Sequence, residues 1–187
     1  MNRTISTALA MLASIAFVTA SAATPSPTSA NLQFAADRAE IEDLQARYMF
    51  ALDWQDADAY AATFTEDGVL DWAYGVVRGR EAIRTEVRGM REGFAKKEAA
   101  DPLHRPARLR HFVTNVVIKI DGDSATEVSY WFEANNEVSG RFPFVTGYGH
   151  YEDTLKRVNG KWLFKSRKIF NEAMADRVAG SANPGAR

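Results

Sequence analysis

Apolar residues recur at three- and four-residue steps along the first part of the chain. Ile41, Leu44, Tyr48, Ala51 and Leu52 share one side, while Asp37, Arg38, Glu40, Glu42, Asp43 and Arg47 cover the other. This period predicts an amphipathic helix beginning near Asp37. Trp54-Gln55-Asp56 reads as a corner, with Asp56 placed to cap a second short helix through Phe64 that carries Tyr60 and Phe64 inward. Glu66-Asp67-Gly68 then turns the chain into a short strand, Val69–Trp72, paired with Gly75–Arg78. A third helix starts at Gly79-Arg80-Glu81 with Ile83, Val87 and Met90 on its inner face. Beyond Gly93 the pattern fades into a charged loop ending at Pro102 and Pro106.

After Arg108 the period changes to two. Leu109–Ile120, Ala125–Asn136, Phe144–Val158 and Lys161–Phe170 are β-rich runs separated by Asp121-Gly122-Asp123, a Gly140-containing loop and Asn159-Gly160. Asp-Gly and Asn-Gly are hairpin turns, so an antiparallel meander is expected. Runs this long, at ~3.4 Å per residue, would overhang a small domain if flat. They must bend, and Gly147 and Gly149 are the natural places. Three helices followed by a curved antiparallel sheet is an α+β layout with the helices covering one face, and it encloses a pocket.

Residues 1–22 differ from everything that follows. Arg3 precedes an uncharged apolar stretch from Ile5 to Val18, and Ala20-Ser21-Ala22 offers small residues at a cleavage position. This reads as a signal peptide, which places the protein in the periplasm or outside the cell, with no membrane attachment after cleavage. Residues 23–35 read as a flexible linker, 36–172 as the domain and 173–187 as a C-terminal tail. There are 23 Lys+Arg against 24 Asp+Glu, a net charge of −1, so an excess of positive charge that would suggest nucleic acid is absent. Zero cysteines exclude disulfides, thiolate nucleophiles and thiolate metal sites. The histidines, His104, His111 and His150, lack metal-site spacing. Neither a metal nor a cofactor is expected.

Three stretches carry a resemblance: Ile41 through Asp53, then Phe64-Thr65-Glu66-Asp67-Gly68 and Gly79-Arg80-Glu81-Ala82-Ile83. Arg110-His111-Phe112-Val113-Thr114-Asn115 and the stretch from Tyr151 to Trp162 extend it. Together they resemble the SnoaL-like branch of the nuclear transport factor 2-like superfamily. The resemblance implies a cystatin-like α+β fold, a conical barrel whose curved antiparallel sheet wraps around three N-terminal helices, with a deep apolar pocket and a homo-oligomer, dimer or trimer, formed through the outer sheet surface. Asp53 with His111 is similar to the Asp–His pair of the scytalone dehydratase and hexachlorocyclohexane dehydrochlorinase families, and Tyr48-x4-Asp53 resembles the bile-acid 7α-dehydratases. Trp72 stands where scytalone dehydratases carry a pocket Tyr, and Asn135 where they carry a second pocket His.

The chemistry follows from residue types. Asp53 sits in the last helical turn, where the macrodipole disfavours a carboxylate, so it needs a partner or serves only to cap the corner. His111 shares a strand face with Val113 and Asn115. If that face lines the pocket, Asp53 can hold one ring nitrogen and leave the other free to take a substrate proton. Tyr48 is placed either to donate to a leaving oxygen or enolate, or to pack as a core aromatic. Asn115 and Asn135 are candidates for fixing substrate polar groups, Trp72 and Trp131 for aromatic walls, and His150 for either face of its strand. The expected function is a cofactor-independent lyase performing dehydratase-type elimination on a small hydrophobic cyclic substrate. An isomerase or polyketide cyclase, or a small-molecule binding protein without turnover, are the alternatives.

Overall fold

The computed structural model describes residues 28–100, 109–135 and 144–186. The expected signal peptide, His104 and the Gly140 loop lie outside the described residues. Thr28 caps α1 (Ser29–Asp53), its hydroxyl accepting from the Asn31 amide. The helix therefore starts earlier than Asp37 and takes in most of the expected linker. Residues 29–36 are all exposed, so they leave no amphipathic trace in the sequence. Asp37 is buried rather than outward-facing: it accepts from the Trp162 indole N–H at 3.2 Å and pairs with Arg157 at 2.7 Å. Burial pushes its carboxyl up, but these partners outweigh burial and hold it below the ordinary range.

Asp56 caps α2 (Ala57–Ala62), which stops short of Phe64, the first residue of β1 (Phe64–Trp72). β2 (Gly75–Arg78) folds back on β1, and α3 (Arg80–Ala100) runs through the region expected to be a loop beyond Gly93. The meander follows: β3 (Arg110–Asp121), β4 (Ser124–Asn135), β5 (Phe144–Val158) and β6 (Lys161–Ile169). The strand order is β2-β1-β6-β5-β4-β3, antiparallel throughout except that β1 and β6 run parallel, so the sheet is mixed. Neither run alone reveals that pairing, because it joins strands about a hundred residues apart.

Bulges bend the long strands, as their length demands. On β3 the register shifts between Thr114 and Val117, where Asn115 adopts φ 57°. On β5 it shifts beside Gly147, and on β6 around Lys165. Ile41, Leu44 and Tyr48 pack with Phe64, Leu155, Trp162 and Phe164 in the core. Within that core Arg167 is fully buried, bonded to Asp153, with its guanidinium 4.1 Å from the ring centres of Tyr48, Tyr151 and Phe164. Gln45 links Arg167 and Asp153 to Glu127. A buried ion pair gains when its remaining polar atoms are bonded; Gln45 supplies part of that, while Arg167 Nη1 has no hydrogen-bond partner among the described residues and the guanidinium rests against the aromatic rings. The outward face of β3 to β5 carries an aromatic row, Phe112, Phe132 and Tyr148, set side by side by the register. Phe112 and Phe132 stack at 4.9 Å.

Candidate active site

A cavity of about 180 Å³ opens between the helices and the inner face of the sheet. Its size suits one or two fused rings, given that a ~150 Å³ cavity accepts benzene. Leu52, Leu70, Val87, Met90, Phe94, Leu109 and Ile169 make most of the wall apolar. The polar groups come from distinct elements: Asp53 and Gln55 from the end of α1, Tyr60 from α2, Glu86 from α3, His111 from β3, Glu133 from β4 and Asn171 after β6.

The end of α1 is built to present Asp53. Gln55 adopts φ 54°, its amide bonds the Leu52 carbonyl, and the Asp56 amide bonds the Ala51 carbonyl. This is a Schellman termination with Gln where glycine is usual. Asp53 then accepts the backbone N–H of His111 at 3.1–3.2 Å and meets the ring Nδ1 at 2.6 Å. Two donors thus offset the unfavourable helix dipole.

The other ring nitrogen is not free. His111 Nε2 lies 3.1 Å from Glu133 Oε2, and the Thr146 hydroxyl donates to Glu133 Oε1 at 2.5 Å. Glu133 reaches the ring because the bulge at Asn115 shifts the register by one, pairing His111 with Glu133 instead of Ala134. Burial works against the charged ring, but hydrogen bonds and charge from Asp53 and Glu133 outweigh it and raise the His111 pKa to about 9. In return the His111 hydrogen bond holds the Glu133 carboxyl below its ordinary range. The ring is an imidazolium at neutral pH. Its two carboxylates lie against opposite nitrogens, so the three groups form a line and do not converge on one ion.

Tyr48 also lines the cavity, its hydroxyl 2.5 Å from that of Tyr60. Burial raises the pKa of both phenols, so both keep their protons. Trp131 is a wall, tilted at 6.2 Å to His111, with its N–H donating to the Phe170 carbonyl at 3.0 Å. That carbonyl passes over Gly149, where an added Cβ would sit 2.1 Å from it, so only glycine fits. Trp72 is a second wall, and its buried indole N–H has no hydrogen-bond partner among the described residues.

Three expected site residues do not reach the cavity. Asn115 is the exposed bulge residue: the extra position puts Val116 and Ile118 inward in place of Asn115 and Val117. Asn135 is buried at the end of β4, beyond Glu133, which takes the place facing His111. His150 alternates with the inward Tyr151, so it points outward, stacked on Phe170 at 4.3 Å and 3.5 Å from Glu152.

The SnoaL-like domain signature matches residues 33–168. The chain belongs to the SnoaL-like family. No curated protein matches it. Among solved structures, it is similar to a Nostoc punctiforme protein of unknown function with a cystatin-like fold. That protein is 32% identical, with 74% of this chain and 92% of that one covered and a TM-score of 0.60. A nuclear transport factor 2-like protein from Novosphingobium aromaticivorans is 25% identical over 80% of this chain and 91% of that one, at TM-score 0.63. A candidate scytalone dehydratase from the same organism is 25% identical over 82% and 96%, at TM-score 0.61. The SnoaL-like family includes polyketide cyclases and dehydratases, and the chain fits a small-molecule-processing enzyme. Sequence reasoning missed Glu133, Tyr60 and Glu86 as site residues; the signal for Glu133 was the hairpin register, which depends on an unseen bulge.

Proposed function

We propose that the protein is a cofactor-independent lyase that eliminates water from a small cyclic β-hydroxy ketone. The line Asp53–His111–Glu133 along one edge of an apolar cavity is the observation that carries this reading. Because His111 already holds a proton on each nitrogen, it enters as the acid, and Glu133 takes the role of base. The Glu133 carboxylate accepts the proton from the carbon next to the ketone, and that C–H pair becomes the new double bond. The C–O bond to the β-hydroxyl breaks, and the departing oxygen takes the Nε2 proton and leaves as water. Glu133 then passes its proton to Nε2, which restores the resting site with no net proton uptake. Tyr48 and Tyr60 remain protonated; one hydroxyl donates to the other, and the proton left over from that bond is donated to the ketone oxygen as charge develops there. Glu133 is a weak base, so the reaction needs a carbon acid activated by a carbonyl, and water exclusion strengthens the carboxylate once substrate fills the cavity.

The test is release of 1-naphthol from 3-hydroxy-1-tetralone, followed by absorbance. His111→Asn and Glu133→Gln are each expected to lower kcat by about 100-fold or more, the usual loss for a positioned acid or base, while circular dichroism shows the fold retained. Exchange of the α-hydrogen without loss of water would favour the isomerase reading. Tight binding with neither exchange nor turnover would overturn the enzyme and leave a binding protein.

A further inference from the structure

The cavity has a second polar pair that the proposed proton transfer does not use. Glu86 lies on the inward stripe of α3, between Ile83 and Met90, and lines the cavity. Its neighbours Arg84 and Arg88 do not claim it. Arg84 is taken by Asp58 and Glu81, and Glu86 has no ion pair or hydrogen bond among the described residues. Most other acids facing the interior are paired: Asp53 and Glu133 with His111, Asp37 with Arg157, Asp153 with Arg167. The second member is Trp72 on β1, whose indole N–H is buried and without a partner among the described residues. α3 packs against β1, α2 and β2, whereas the Asp53–His111–Glu133 line sits on α1, β3 and β4. Glu86 and Trp72 therefore belong to a wall of the cavity separate from the reacting groups.

We infer that Glu86 and Trp72 form a recognition subsite for an uncharged hydroxyl on the far end of the substrate, the hydroxyl donating to Glu86 and accepting from Trp72. The inference rests on the cavity being the substrate site. It adds the substrate class, a hydroxylated neutral ring compound, and excludes carboxylates and phosphates. The described lining carries three carboxylates, Asp53, Glu86 and Glu133, against the single cation of His111, so an anionic ligand meets net repulsion. A donor left without its acceptor, or an acceptor without its donor, is what makes such a site discriminate between an alcohol and its ether.

Titration calorimetry with three probes of one ring system tests this without turnover. 2-Naphthol can donate and accept, 2-methoxynaphthalene can only accept, and 2-naphthoate is an anion. The wild-type protein is expected to bind 2-naphthol about tenfold or more tightly than 2-methoxynaphthalene, the range for a hydrogen bond to a charged acceptor, and to bind 2-naphthoate most weakly. Glu86→Leu should bring the naphthol and ether affinities together, and Glu86→Gln should raise the affinity for 2-naphthoate. Glu92→Gln, which removes the same charge from an exposed position on α3, should change neither. Equal binding of 2-naphthol and 2-methoxynaphthalene by the wild type, or an undiminished ratio in Glu86→Leu, overturns the subsite and leaves the elimination reading standing. Failure of all three probes to bind overturns both.

Discussion

Asp53→Asn isolates the element on which the chemistry depends, because it removes a charge while keeping nearly the same shape. In the wild type, His111 rises from its ordinary 6.5 to about 9 against the penalty of burial. That is a preference for the charged ring of roughly 3 kcal/mol. Two carboxylates share it, Asp53 at 2.6 Å and Glu133 at 3.1 Å. Loss of the closer one should lower the His111 pKa by about one to two pH units or more, since burial continues to oppose the charge. The amide also puts an NH2 group in place of one of the two oxygens that accept the backbone N–H of His111. The same linkage appears in stability. A histidine whose folded pKa lies above its unfolded value adds stability that is fully present below about 6.5 and is lost as pH rises through about 9. Asp53→Asn should therefore cost most at pH 6, on the order of 1–3 kcal/mol, and progressively less toward pH 10. The assay is NMR titration of the His111 ring, assigned by comparison with His111→Asn, paired with urea unfolding at pH 6 and pH 10. A His111 titration unmoved by Asp53→Asn, or a stability loss equal at both pH values, would refute the reasoning.

Two further outcomes follow from other parts of the molecule. Burial, then the charge of Asp153, pushes the Glu127 carboxyl up to about 8, so its contribution is present below the unfolded carboxylate range and is lost as pH rises through about 8. Thermal unfolding should show Glu127→Gln losing less stability than wild type between pH 6 and pH 9; parallel curves would show that this group does not titrate in the folded state. The aromatic row Phe112, Phe132 and Tyr148 is the expected contact between copies, with Phe112 at 46% and Tyr148 at 57% exposure. Sedimentation velocity should find an oligomer that Phe112→Glu converts to monomer, and a monomeric wild type at tens of micromolar would remove the expectation.

Element types were readable because each leaves a period in the chain. Ile41, Leu44, Tyr48 and Ala51 are all buried on one side of α1, and β5 occupies the residues its alternation marks, Phe144–Val158. Asp56 caps α2 as its residue type predicts. The misses in the helices have local causes. Residues 29–36 form helix without burying anything, and α3 continues to Ala100 through charged residues that carry no stripe. The parallel pairing of β1 with β6 had no signal, since it joins distant segments through neither a hairpin nor a shared period.

The displacement of Asn115 and the arrival of Glu133 have a single cause, and it is geometric. Alternation assigns a strand residue to a face only while the register holds, and one extra residue reverses every assignment beyond it. Counting back from the Asp121–Ser124 turn without a bulge pairs His111 with Ala134; with Asn115 and Val116 both opposite Ser129, the partner becomes Glu133. The bulge that ejects Asn115 from the cavity is therefore the one that delivers the second carboxylate to the imidazole. On β6, Trp162 and Phe164 face inward, and simple alternation would continue with Ser166. The extra residue Lys165 turns Arg167 and Ile169 inward instead, which sets a guanidinium beneath Tyr48 and an isoleucine in the cavity wall. The long strands must bend to enclose a cavity at all, and bending is what inserts these residues. A fold that makes its pocket by bulging its sheet also decides by those bulges which side chains enter it, so the type of a strand is legible in its sequence while the contents of its pocket are legible only once the bulges are placed.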